Sequence, residues 1–376
     1  MIDGQQEFQH QRLLSLDPAG NLWGSERSLL DFIGDIPGFT AACCCPPNAP
    51  LIAKLKERNV VCFPTFQANL HLRGLRPRIW ALCGLLWAIL AWRPDVLHVN
   101  QAGATRIALL ACRVFRIPCV VHVRLQEDVG YLNALRPSPR FLRQLIAISQ
   151  PIADLLKAQQ NLQEIPCTLL LDAYRLHKAN SEANERITIN WDFVCVGRFC
   201  ESKGQEILLR SLHILQQRGS SPKCVFVGVL NDCGLALQQL AQDLGINDNV
   251  AFLGHLDDVH TINRQSRWLV CPSHYEPLGR VIFEAWDAGI PVVAGAFAGG
   301  AATSIQTSSG GLLFKEWTPA SLAATLGTAL ATDPAARQLM AAHGRNWMSH
   351  ATHPTNFAAA FSIILQNAIH SPKDLP

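Results

Sequence analysis

Short apolar runs alternate with helix-length segments along nearly all of this 376-residue chain, and that alternation limits what it can fold into. In the first half the runs are 13–16, 41–45, 60–63, Val96–Val99, Cys119–Val123 and 145–148. A second series begins at 193–196 and continues through Cys224–Val227, 250–253, 268–270 and 292–293. Helical patterns fall between them, including one from about Ser25, Gln205–Gln217, 236–244 and a final one from 356 to 368. Pro151 is expected at the first position of the helix after 145–148, where its missing N–H costs nothing. Strands that alternate with helices of this length build parallel sheets. Strands buried on both faces read as continuous apolar runs, as these do.

The polar stretch 177–188 lacks either period and is expected to separate two domains. The length suits two domains of ordinary size. Parallel sheets bind ligands beyond the carboxyl ends of their strands, so the chemistry is sought there. A net charge of +3 is too small for a protein that holds nucleic acid by neutralising phosphates. The thirteen cysteines show no zinc-type spacing, and most fall in or beside predicted strands. The N-terminus, MIDGQQEFQHQR, is polar and does not resemble a signal peptide. The cysteines are therefore expected to be reduced core residues of a cytoplasmic protein.

The most informative stretch is 271–300, CPSHYEPLGRVIFEAWDAGIPVVAGAFAGG. Glu276 and Glu284 are separated by seven residues, after an apolar strand and around the start of a helix over 279–288. The N–H groups of Leu278, Gly279 and Arg280 would open that helix and, with its dipole, favour a phosphate. At 1.5 Å rise per residue the two carboxylates would stand roughly 8–12 Å apart, about the span of a sugar diphosphate. Upstream, 193–199 reads as a strand ending in Gly197-Arg198, with Lys203-Gly204 at the next helix start. Two cations at a strand end can clamp a diphosphate and stabilise charge on a leaving group.

The segment 271–300 resembles the signature of family-4 retaining glycosyltransferases, in which Glu-x7-Glu follows Pro-Ser and precedes Gly-x-Pro-Val. Gly197-Arg198 and Lys203-Gly204 resemble the family's Gly-Arg…Lys-Gly motif. The resemblance implies an α/β fold of two facing Rossmann-like domains (GT-B) with an interdomain cleft. It implies an N-terminal domain of 1–180, completed by a returning helix in 356–376, and a nucleotide-sugar-binding domain of 187–352. Arg198 and Lys203 would hold the diphosphate, Glu276 the transferred sugar and Glu284 the ribose. His122, in the strand CVVHV, would stand near the sugar, with Arg124 a weaker acceptor-side candidate. Gly24, after Asn21-Leu22-Trp23 and before Ser25-Glu26, resembles the family's glycine-rich loop. Gly254 and His255 would lie near the base, and Gly299-Gly300 near the sugar. The chain departs from the family in two places. Ala301-Ala302-Thr303 replaces the usual acidic residue, and Leu171-Asp172-Ala173 stands where the family has Asn-Gly.

The implied activity is transfer of a hexose-type sugar from a nucleotide diphosphate sugar to an acceptor hydroxyl, in surface polysaccharide or glycolipid synthesis. The alternatives are a sugar-nucleotide epimerase of the same fold and a non-catalytic partner subunit. No Asp-x-Asp motif is apparent, and the adjacent Asp257-Asp258 is a poor substitute, so neither cofactor nor obligatory metal is expected. The apolar run 79–92 is too short to span a membrane and suits a helix buried beside the strand at Val96–Val99. Arg73, Arg76, Arg78, Trp80, Trp87 and Trp92 leave a second reading open, peripheral contact of 72–95 with an anionic inner-membrane surface. The acceptor would be a sugar, a glycolipid or another small molecule.

Overall fold

A computed structural model describes residues 10–64, 75–177 and 188–370, with the side chains of 75–78 excepted. The first nine residues of the polar N-terminus, nearly all of the polar stretch 177–188, Arg73 and the side chains of Arg76 and Arg78 lie outside the description. The chain forms two compact units: Met1–Arg175 with Thr352–Pro376, and Leu176–Ala351.

In the first unit seven strands pair in parallel. They are β1 (Gln11–Leu16), β2 (Phe39–Cys44), β3 (Val61–Phe63), β4 (Val96–Val99), β5 (Cys119–Val123), β6 (Leu142–Ala147) and β7 (Cys167–Leu169). Their order is β3-β2-β1-β4-β5-β6-β7. The chain moves from β1 outward to β3, then crosses back to start β4 on the other side of β1. Right-handed crossovers therefore place the helices of the two directions on opposite faces. Leu14 pairs with both Ala42 and Leu97, and all three are fully buried. One face is closed by helix Gly24–Phe32 and by the terminal helix Pro354–His370. Phe32 there meets Phe357 at 4.4 Å and Phe361 at 5.2 Å between ring centroids. Helix Leu75–Trp92 packs on β1 and β2, and helix Thr105–Phe115 on β4 and β5; these two helices also touch each other.

The second unit has six parallel strands: β8 (Trp191–Val196), β9 (Cys224–Val227), β10 (Val250–Phe252), β11 (Ser266–Cys271), β12 (Val292–Gly295) and β13 (Gly311–Phe314). Their order, β10-β9-β8-β11-β12-β13, puts the reversal of direction between β8 and β11. Phe193, Phe226, Trp268, Val293 and Phe314 form its core with Leu208, Leu212 and Leu326 of the covering helices. Both units are Rossmann-like parallel α/β layers, so the fold class follows the sequence reading.

Several boundaries shift for local reasons. Pro151 is the second residue of helix Gln150–Lys157, not the first, because Ser149 is the N-cap. The helix expected at 236–244 starts at Asp232, because the Asn231 side chain accepts a hydrogen bond from the Gly234 N–H at 2.9 Å. All thirteen cysteines are free, and eight of them are buried. No helix among the described residues is long and apolar enough to cross a membrane.

Candidate active site

In the second unit the predicted groups gather at the carboxyl ends of β8 and β11, the two strands flanking the switch point. Such a point leaves a crevice in an open parallel sheet. Beyond β8, Gly197 and the exposed Arg198 lead to a short 3-10 turn, Glu201–Lys203. Gly204 then turns the chain with φ +69 into helix Gln205–Gln217. A Cβ on Gly204 would stand 2.1 Å from the Pro272 carbonyl oxygen. Only glycine lets the Lys203 turn lie this close to the loop after β11.

That closeness brings Lys203 Nζ to 2.5 Å from Glu276 Oε2. Ser273 Oγ donates to the same carboxylate oxygen at 3.3 Å. Burial alone would lower the Lys203 pKa, but the Glu276 carboxylate outweighs it and the net shift is upward. The ammonium therefore stays charged although its side chain is only 29% exposed. The Glu276 backbone is tied to the residues on either side of the glycine pair: its N–H donates to Ala298 O, and its carbonyl accepts from the Ala301 N–H.

Helix Arg280–Asp287 starts after Gly279, whose φ is +86. A Cβ there would meet Ile282 Cδ1 at 2.9 Å and Glu276 Cγ at 3.3 Å. The N–H groups of Leu278 and Gly279 have no acceptor among the described residues. Unsatisfied N–H groups at a helix N-terminus form an anion site. Glu284 lies just over one turn into this helix, and Arg280 Nε stands 3.8 Å from its Oε1. Arg198, on the β8 side, helps hold the Cys200 thiol below its ordinary pKa; burial opposes this, and hydrogen bonds from Ser202 and Arg198 prevail. Gly254 follows β10, and its carbonyl accepts from the Gly228 N–H at 2.8 Å. His255 is exposed and lies 3.4 Å from Asp257. Asp258, just before the helix His260–Arg264, accepts from the His260 N–H at 2.8 Å.

The first unit has its own switch point, between β1 and β4. Gly24 opens helix Gly24–Phe32 there, with open space where a Cβ would be. His122 is an interior residue of β5, fully buried, with Nδ1 2.6 Å from His98 Nε2 and its ring 6.1 Å from Phe357. Burial first, then the positive charge of Arg124, holds its pKa well below the usual histidine range. The ring is a neutral group packed among Phe32, Phe357 and Phe361.

Sequence reasoning missed what surrounds it. Each of three buried strands is followed at once by a polar residue: Asp17 after β1, Asn100 after β4 and Arg124 after β5. Asn100 Nδ2 donates to Asp17 Oδ2 at 2.8 Å, and Arg124 donates to Asn100 and to Asp172. Asp172, in the segment that stands where the family has Asn-Gly, is thus the carboxylate that orients Arg124. Glu26 is buried beside them and accepts from the Trp23 N–H at 3.0 Å and Gln101 Nε2 at 2.6 Å. Burial, then the Asp17 charge, raises its pKa to about 7. Also unforeseen, His177, His260 and Asp287 in the second unit bring ligand-type atoms within 4.8 Å of one another. There Asp287 already accepts from the His177 N–H at 2.8 Å and lies 3.5 Å from Arg345, the pattern of an ion-paired anchor.

Known proteins agree with this architecture. The family described as "Glycosyl transferases group 1" matches residues 178–347, and "Glycosyl transferase 4-like domain" matches 40–158. The lipopolysaccharide core biosynthesis glycosyltransferase LpsD of Rhizobium meliloti is 30% identical over 258 residues, 67% of this chain and 69% of that protein. Other relatives match over less. An uncharacterized glycosyltransferase of Methanocaldococcus jannaschii and the Rhizobium meliloti LpsE are each 36% identical, but the chain spans 27% of the length of either. Among solved structures, Anabaena HepE in complex with UDP and glucose has a TM-score of 0.80 at 21% identity, covering 95% of this chain and 100% of that one. Sucrose-phosphate synthase of Thermosynechococcus elongatus has a TM-score of 0.78 at 16% identity, covering 96% and 100%. With its two parallel-sheet units and its matches on both halves, the chain belongs to the group 1 glycosyl transferases, the family-4 enzymes of the GT-B fold.

Proposed function

We propose that the protein is a retaining glycosyltransferase that moves a hexose-type sugar from a nucleotide diphosphate sugar to an acceptor hydroxyl. The observation that carries this reading is the Lys203–Glu276 pair at the β8/β11 switch point, beside the unsatisfied N–H groups of Leu278 and Gly279. Arg198, Lys203 and those N–H groups receive the diphosphate. Glu276 addresses hydroxyls of the transferred sugar and Glu284 those of the ribose; Gly254 and His255 lie toward the base. In the free protein Lys203 and Glu276 neutralise each other, and the incoming diphosphate shares the ammonium.

In the reaction the bond from the anomeric carbon to the diphosphate oxygen breaks and the acceptor oxygen bonds to that carbon on the same face. The leaving phosphate takes the acceptor's proton, and the cations stabilise the charge as it develops. Charge stabilisation by these groups makes a metal unnecessary, so chelation is expected to leave turnover unchanged. HepE, solved with UDP and glucose, and the lipopolysaccharide enzymes LpsD and LpsE support a nucleotide-sugar donor and a saccharide acceptor. An acceptor carried on lipid fits peripheral contact of 72–95 with the inner membrane face.

The test is incubation of the full chain with UDP- and GDP-sugars, with and without saccharide acceptors, followed by NMR of the product's anomeric centre. A new glycoside with the donor's configuration is expected. Conversion of the nucleotide sugar without acceptor would instead indicate an epimerase. Arg198→Ala and Lys203→Ala are each expected to weaken donor binding by about 10- to 100-fold, the value of one charge-assisted contact to phosphate.

A further inference from the structure

Helix Leu75–Trp92 is apolar on both sides, yet among the described residues only one side is covered. Ala81, Leu85, Ala88 and Ile89 are buried against the unit. The opposite stripe is open: Ile79 is 50% exposed, Trp80 77%, Trp87 54% and Leu90 62%. A helix that is apolar all round normally lies in a core or against lipid. The adjoining helix Thr105–Phe115 continues the surface with Leu110 and Val114, 46% and 70% exposed. Its exposed Arg106 and Arg113, and Arg116 just beyond, have no acidic partner among the described residues. Neither helix contains a single Asp or Glu. Both helices lie on the same face of the sheet, the one opposite helix Pro354–His370, so their outer sides form one surface.

From this surface we infer that the two helices together form a docking face for a bilayer rich in anionic phospholipid, with the indoles of Trp80 and Trp87 seated among the headgroups. The inference rests on and deepens the membrane contact proposed above by adding the second helix and its unpaired cations. The charge pattern selects this occupant. Apolar stripes beside unpaired cations, with no acids, suit a negative lipid surface, where each nearby cation adds to binding. A contiguous exposed apolar patch of this kind marks an interaction site on a folded protein.

Flotation of the full chain with vesicles tests it, using equal parts of phosphatidylglycerol and phosphatidylcholine against phosphatidylcholine alone. Binding is expected only or far more strongly to the anionic vesicles, and it should weaken with added salt. Trp80→Ser with Trp87→Ser should lower binding by about tenfold or more. Arg106→Glu with Arg113→Glu should remove the preference for anionic lipid. Far-UV circular dichroism and a thermal melt of each variant report that the chain remains folded. Equal binding to both vesicle types, or unchanged binding by either pair of variants, overturns the inference. So does a stable dimer in solution that the tryptophan variants dissolve while vesicles go unbound, which would assign the face to a second copy. Loss of donor binding in Arg198→Ala with vesicle binding intact leaves the inference standing, so the two proposals fail separately.

Discussion

Gly204 shows how one residue can set the geometry of a site. Its left-handed φ and its approach to the Pro272 carbonyl leave no room for a side chain. Gly204→Ala is expected to cost about 3 kcal/mol or more of stability, measured by denaturant unfolding; a loss under about 1 kcal/mol would contradict the geometry. Glu26 offers a test through pH. Its pKa is raised from 4.5 to about 7 in the fold. The protonated form is the one folding favours, so its contribution is complete below about pH 4.5 and is lost as pH rises through about 7. Glu26→Gln cannot ionise, so its melting temperature should gain on wild type between pH 5 and pH 8; a constant difference would count against the buried carboxylate. The grouping of Arg198, Lys203 and Glu276 was legible because each lies between a strand and the helix that follows it, with Glu284 inside the second of those helices. His122 was not, because the rings that enclose it come from Phe32 and from Phe357 and Phe361 more than two hundred residues further along the chain.

At the level of elements, strands buried on both faces could be read directly; Val96–Val99, Cys119–Val123 and Cys224–Val227 have the bounds their apolar runs suggest. β7 could not be read, since three half-exposed edge residues carry little apolar signal. Helix Leu75–Trp92 was legible in length but not in environment. An apolar sequence does not say which side is covered, and the neighbour that helps cover it comes later in the chain. The terminal helix Pro354–His370 closes the first unit's core through fully buried Phe361. Phe361→Ala should destabilise that unit by about 3–5 kcal/mol in a thermal melt. A loss near zero would mean that the helix is not part of the core.

For the whole molecule, two cores in two units predict that a ligand held by one unit acts on that unit's unfolding. A donor bound at the β8/β11 switch point at a hundred times its Kd should add about 2.7 kcal/mol to the second unit. In calorimetry of the full chain the transition that responds should be the one that Gly204→Ala lowers, and not the one that Phe361→Ala lowers. Duplication of a parallel sheet was legible from the repeated strand–helix period. That β8 and β11 are neighbours was not, because strand order follows from crossovers that no local pattern records. We propose that the guanidinium of Arg198 and the ammonium of Lys203 clamp a diphosphate between Glu276 and Glu284. The most direct test is a thermal-shift titration of UDP- and GDP-sugars against wild type, Arg198→Ala and Lys203→Ala. At least one donor is expected to raise the wild-type melting temperature, and each variant to lose most of that rise. Equal stabilisation of all three proteins would contradict the clamp.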